Sequence, residues 1–111
     1  FNPEEEAARN MVQRLTISHI RNYFELADGF SLVEVEAPKD VVGRTLRDLD
    51  LRQRFRVNLV AVKRMTTDAH GVRSLQEFKA VPKPEDVIEA SDVLVVAGSV
   101  LDLARFVGDN S

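Results

Sequence analysis

The sequence predicts an α+β domain: a small mixed sheet with two packed helices, preceded by a further helix at the N-terminus. Three observations carry that prediction. Short apolar segments with strand character, Phe30 to Ala37, Val57 to Lys63 and Val93 to Ala97, alternate with stretches of helical spacing. Gly and Pro clusters punctuate the chain between them. The chain has 111 residues, 44% of them hydrophobic. That suits one domain, and a chain of this size buries about two-thirds of its unfolded surface.

The elements follow in order. Asn2-Pro3-Glu4-Glu5-Glu6 reads as a helix start: Asn2 caps, Pro3 suits the first turn, and the glutamates favour the positive end of the helix dipole. Ala8, Met11, Val12 and Leu15 then recur at helical spacing. Ser18 is placed to cap a second helical segment carrying Ile20, Tyr23, Phe24 and Leu26, which the turn Asp28-Gly29 ends. A helix with one apolar stripe needs a partner surface, within the fold or on a second copy.

Phe30 to Ala37 reads as a strand with one wet face, because Val33 and Val35 alternate with Glu34 and Glu36. Pro38 stops it. Gly43-Arg44-Thr45 opens a helix running to about Phe55, in which Thr45 and Asp48 resemble a capping box and Leu46 and Leu49 face inward. Val57 to Lys63 is the clearest buried strand, and Asp68-Ala69-His70-Gly71 is a hairpin tip. A strand around Gln76 to Val81 is stopped by Pro82-Lys83-Pro84. After the strand Val93 to Ala97, Gly98-Ser99 turns into the last helix, with Ser99 capping and Asp102 at its third position. Leu101, Leu103 and Phe106 supply its apolar side chains, and Gly108 ends it.

Composition narrows the function. The net charge is −3, which argues against nucleic acid, because phosphate backbones are bound through a basic face. With no cysteine there is no disulfide framework and no thiolate metal site. No apolar run approaches the roughly 20 residues that cross a bilayer. Glu4, Glu5 and Glu6 stand where a signal peptide carries basic residues, so none is expected. A start at Phe1 rather than Met reads as a piece of a longer chain.

Catalysis needs a nucleophile, a neighbouring base and an orienting group. The histidines, His19 and His70, sit in no such arrangement, so no catalytic residue and no metal ligand is assigned. Glu34 and Glu36 read as a solvated strand face. Gly98-Ser99 lacks the further glycines and the lysine of a phosphate loop and reads as a plain strand-to-helix turn. The arginines 44, 47, 52, 54 and 56 leave two readings open. One is a solvated basic face. The other is an anion site, with Arg52 making charge-assisted bonds to a phosphate and Asn58 offering both donor and acceptor to a nucleobase.

The stretch Val41-Val42-Gly43-Arg44-Thr45-Leu46-Arg47-Asp48-Leu49-Asp50-Leu51-Arg52, then Val57-Asn58-Leu59-Val60-Ala61-Val62-Lys63-Arg64, then Val87-Ile88-Glu89-Ala90-Ser91-Asp92-Val93-Leu94-Val95-Val96, resembles in order the C-terminal RCK domain, also called TrkA-C. The resemblance covers about Phe30 to Phe106. Ahead of it, Asn22-Tyr23-Phe24-Glu25-Leu26-Ala27-Asp28 resembles the helical hinge of KtrA-type potassium-uptake regulators. The resemblance implies a hinge over residues 1–28 and an RCK C domain over residues 29–111. It implies a cytoplasmic, non-enzymatic regulator of potassium or other cation transport, which pairs as a homodimer and acts on a membrane transport subunit without entering the membrane. The KtrA-like branch binds cyclic di-AMP between two copies. Carried over residue by residue, the site would comprise Arg52 for phosphate, Asn58 for the base or ribose edge, and Leu46, Val57, Leu59 and Pro82 as apolar walls. No cofactor is expected in this chain; ATP, ADP or NAD would belong to an upstream nucleotide-binding domain. Arg56 departs from the family pattern, which commonly has glycine there. The alternative reading is a ligand-free dimerisation module of a cation channel or a cation/proton antiporter regulator.

Overall fold

The computed structural model describes residues 20–110, together with residue 6. The helix expected over residues 2–15 and the side chain of His19 lie outside the described residues. The described chain runs β1 (Ile20–Ala27), β2 (Phe30–Glu36), α1 (Leu46–Leu49), α2 (Leu51–Arg54), β3 (Asn58–Thr67), β4 (Arg73–Lys79), β5 (Asp92–Ser99) and α3 (Val100–Asn110). The strands form one five-stranded sheet in the order β1-β2-β5-β3-β4. The α+β class holds, but the expected mixed sheet is antiparallel at each of its four pairings.

Residues 20–27 form a strand, not the expected second helical segment, so a helical hinge does not extend to residue 28. The spacing of Ile20, Tyr23 and Phe24 is that of a helix face. Pairing decides: the Asp28-Gly29 turn, with Gly29 at φ 78°, folds β1 onto β2, and Tyr23 lies opposite Val33. Strand alternation then puts Tyr23 against the core, where the Ser31 hydroxyl donates to its Oη at 3.2 Å, while Phe24 and Leu26 are exposed.

β2 buries Ser31, Val33 and Val35 on one face. Its other face is not simply wet. Glu34 accepts from Lys63 Nζ at 2.7 Å and from Asn22 Nδ2 at 3.1 Å, and Glu36 accepts from Arg73 Nη1 at 2.7 Å. The most buried strand is β5, with every residue from Asp92 to Gly98 buried, because it runs between β2 and β3. β3, expected to be the clearest buried strand, is buried only at Ala61 and Val62. It continues to Thr67 and forms a hairpin with the largely exposed β4, which starts at Arg73 rather than near Gln76. At the tip, Asp68 Oδ1 accepts from the backbone N–H groups of His70 and Val72, and His70 is exposed.

α3 covers the core face of the sheet. Val100, Leu103, Ala104 and Val107 recur at helical spacing and are buried with Phe106. Leu101, expected on that stripe, is 42% exposed. Ser99 Oγ accepts from Asp102 N at 3.1 Å, as expected of a cap, and the helix runs past Gly108 to Asn110. The Gly98-Ser99 turn is structural: Ser99 is taken up by Asp102, and a Cβ on Gly98 would sit 3.1 Å from Val57 Cγ1.

The expected helix to Phe55 is broken in two. Thr45 caps α1 through Asp48 N at 3.2 Å, but Asp50 adopts φ 45°, ψ 54° and separates α1 from α2. Arg56 is the other non-glycine residue at positive φ among the described residues, at 59°. That is the left-handed region, which glycine enters without the penalty of a Cβ. Arg56→Gly is therefore expected to stabilise the fold by about 1 kcal/mol, read as a higher urea midpoint at unchanged slope. An unchanged or lower midpoint would mean that the arginine makes an offsetting contact.

Candidate functional site

The segment after β4 is stitched to α1 by backbone bonds. Gly43 N donates to Ile88 O at 2.8 Å, Ile88 N to Arg44 O at 3.0 Å, Leu46 N to Asp86 O at 3.0 Å and Arg47 N to Pro84 O at 2.9 Å. The stitching holds Pro82-Lys83-Pro84 across from α1 and α2. Between them lies an open cavity of about 500 Å³, lined by Leu46, Arg47, Asp50, Leu51, Arg52, Leu59, Pro82, Lys83 and Pro84. Its size lies within the roughly 300–1,000 Å³ of small-molecule pockets.

Four sequence-assigned residues meet there: Leu46, Arg52, Leu59 and Pro82. The other two do not line the cavity. Val57 is fully buried in the core, beneath the site. Asn58 opens β3 opposite Ala97 and is exposed; strand alternation turns it away from the face of Leu59. Arg47, Asp50, Leu51, Lys83 and Pro84 were not assigned. Arg47 belongs to the arginine run, but nothing in the sequence brings Lys83 to it; that proximity comes from the stitching.

Leu51 on the cavity lining is buried, as are its neighbours Leu49 and Phe55. Phe55 meets Phe106 edge to face, with ring centroids 5.3 Å apart at 74°. Arg64 ties the far end of the stitched segment to β3. Its Nε lies 3.1 Å from Asp92 Oδ1 and 2.6 Å from Glu89 Oε2, and its Nη2 donates to Val87 O at 3.2 Å. The hydrogen bond to Asp92 holds the Arg64 guanidinium above its ordinary pKa, against the opposing effect of burial. Nearer the cavity, Asp86 accepts from Lys83 N at 2.9 Å, and this bond, helped by Lys79, draws its carboxyl below the usual range.

The TrkA-C domain family model matches residues 30–107, well over half of the chain. The chain belongs to the TrkA-C domain family. It is 34% identical over 105 residues to the Ktr system potassium uptake protein C of Bacillus subtilis (strain 168), and 30% identical over 106 residues to protein A of the same system. These matches cover 95% and 96% of the chain but 43% of each relative, so this TrkA-C domain spans less than half the length of either. Among solved structures it is similar to the RCK C domain of the potassium transport protein KtrA in complex with cyclic di-AMP. That similarity has a TM-score of 0.59 and 27% identity, and covers 94% of this chain and 98% of that one. No helix among the described residues is long and apolar enough to cross a membrane.

Proposed function

We propose that this TrkA-C domain is a ligand-sensing regulatory module of a potassium, or other cation, uptake system, and that cyclic di-AMP is its ligand. The observation that carries the reading is the convergence of Leu46, Arg52, Leu59 and Pro82 on one cavity. Apolar walls suit the faces of adenine, and Arg52 suits a phosphate. The cyclic di-AMP complex of the similar KtrA domain supports the same ligand. Val57, a core residue, and Asn58, for the base or ribose edge, are assigned by family resemblance alone.

The ligand is two-fold, so two copies of the chain supply two equivalent pockets and one self-complementary interface. Ligand binding favours one arrangement of the pair. Residues ahead of β1 serve as the hinge that passes the change to a nucleotide-binding domain, and through it to a membrane transport subunit. The module works in the cytoplasm and has no catalytic role.

Calorimetric titration with cyclic di-AMP, with ATP and cyclic di-GMP as controls, tests the reading. The expected result is saturable binding of cyclic di-AMP alone, near one ligand per two chains. Arg52→Ala is expected to weaken it at least about tenfold, since a bond to a charged group contributes roughly 1.5–3 kcal/mol. Full affinity in that variant would remove Arg52 from the site. No binding of any of the three ligands would leave a ligand-free dimerisation module.

A further inference from the structure

We infer that Arg47 and Lys83 are phosphate-selecting residues of the cavity alongside Arg52, and that Asp50 opposes them and tempers anion affinity. The inference rests on the proposed nucleotide site; it singles out Arg47 from the arginine run and adds Lys83 and Asp50, which neither the sequence motifs nor the family resemblance assigned.

Charge distribution is the first ground. The chain carries a net charge of −3. The cavity runs the other way, with Arg47, Arg52 and Lys83 against the single carboxylate of Asp50. Pairing is the second. Lys63, Arg64, Arg73 and Lys79 each have a carboxylate partner within ion-pair distance. The side chains of Arg47, Arg52 and Lys83 have none among the described residues, a state they share with Lys39, Arg44, Arg54, Arg56 and Arg105, and they alone of these line the cavity. Asp86, the carboxylate nearest Lys83 in the turn, is taken up by Lys83 N and faced by Lys79.

The third ground is rigidity of the backbone beneath free side chains. Arg47 N is held by Pro84 O, and Lys83 N by Asp86 Oδ2. Pro82 and Pro84 flank Lys83 and fix the chain on either side of it. The two cations are thus mounted on facing walls whose separation is already set, which lowers the ordering cost of gripping an anion. The backbone of Asp50 is set in the left-handed region at the junction of α1 and α2, which places this residue on the cavity lining. A phosphate entering between Arg47, Arg52 and Lys83 meets three donors and one repelling charge.

Titration of wild type, Lys83→Gln, Arg47→Gln and Asp50→Asn tests this, using cyclic di-AMP in one arm and inorganic pyrophosphate, an anion without bases, in the other. Asparagine tolerates the left-handed region, so Asp50→Asn removes charge without backbone strain. Thermal melts confirm that each variant is folded. Lys83→Gln and Arg47→Gln are each expected to weaken binding about fivefold, and Asp50→Asn to tighten it about threefold, at low salt. The differences are expected to shrink in about 0.5 M salt as screening shortens the reach of each charge. Wild-type affinity in both glutamine variants, with Arg52→Ala still defective, would overturn the inference and leave the cyclic di-AMP reading standing. If wild type ignores cyclic di-AMP but the variants keep their order toward pyrophosphate, the cyclic di-AMP reading falls and the anion site stands. If neither compound binds, both fall.

Discussion

Phe106→Ala is expected to destabilise the domain by about 3–5 kcal/mol, in the range of large aromatic truncations in a packed core. Phe106 is fully buried on α3 and meets Phe55, itself buried, edge to face. Truncation removes the ring and leaves a void that Val107, Leu103 and Phe55 cannot close without shifting the helix. Phe55 ends α2, its N–H donating to Leu51 O at 3.0 Å, and Arg54 sits 5.3 Å above its ring. The damage therefore travels to the short helix that carries Arg52. Phe106→Leu keeps most of the volume and is expected to cost under about 2 kcal/mol. Urea unfolding measures both, and a loss below about 1 kcal/mol for the alanine variant would mean that α3 is not anchored through this contact.

What the sequence disclosed, and what it hid, divides along a physical line. Val93 to Ala97 is an unbroken apolar run and proved to be the central strand; Ser99 and Asp102 form the expected cap; Asp68 to Gly71 forms the expected tip. Each of these signals is complete within a few neighbouring residues. β1 is not legible locally, because Ile20, Tyr23 and Phe24 suit a helix until β2 is present to pair with them. The break at Asp50 has no signature, since aspartate enters the left-handed region without the glycine that would announce it. The ion pair of the half-buried Glu34 is with Lys63, a residue of another strand.

The candidate site divides in the same way. Arg52, Leu46, Leu59 and Pro82 were legible through family resemblance, and they meet. Lys83 was hidden because Pro82-Lys83-Pro84 reads locally as a strand stop. Backbone bonds, among them those from Leu46 and Arg47 to Asp86 and Pro84, carry it to the cavity, and backbone bonds leave no side-chain pattern to read. Val57 shows the opposite relation: a motif position close to the site in sequence is a core residue in space.

Arg64→Met is expected to cost about 3 kcal/mol, because it strands a carboxylate that cannot reach water. The Asp92 side chain is fully buried; Arg64 supplies bonds to both of its oxygens, at 3.1 and 3.3 Å, and Glu89 N adds one at 2.9 Å. Removing both charges together, in Arg64→Met with Asp92→Leu, is expected to recover much of the loss, since the penalty comes from the uncompensated charge rather than from the absence of the pair. The same substitution has a second consequence. Arg64 also clamps Val87 O, and Asp92 O accepts from Ala37 N at 2.9 Å, so this cluster fastens the segment that holds Pro82, Lys83 and Pro84. Arg64 does not line the cavity. Its loss should nevertheless weaken cyclic di-AMP binding together with stability, whereas Arg52→Ala should weaken binding and leave stability unchanged. A folded Arg64→Met variant that binds like wild type would show that the cavity wall is held by its stitching to α1 alone.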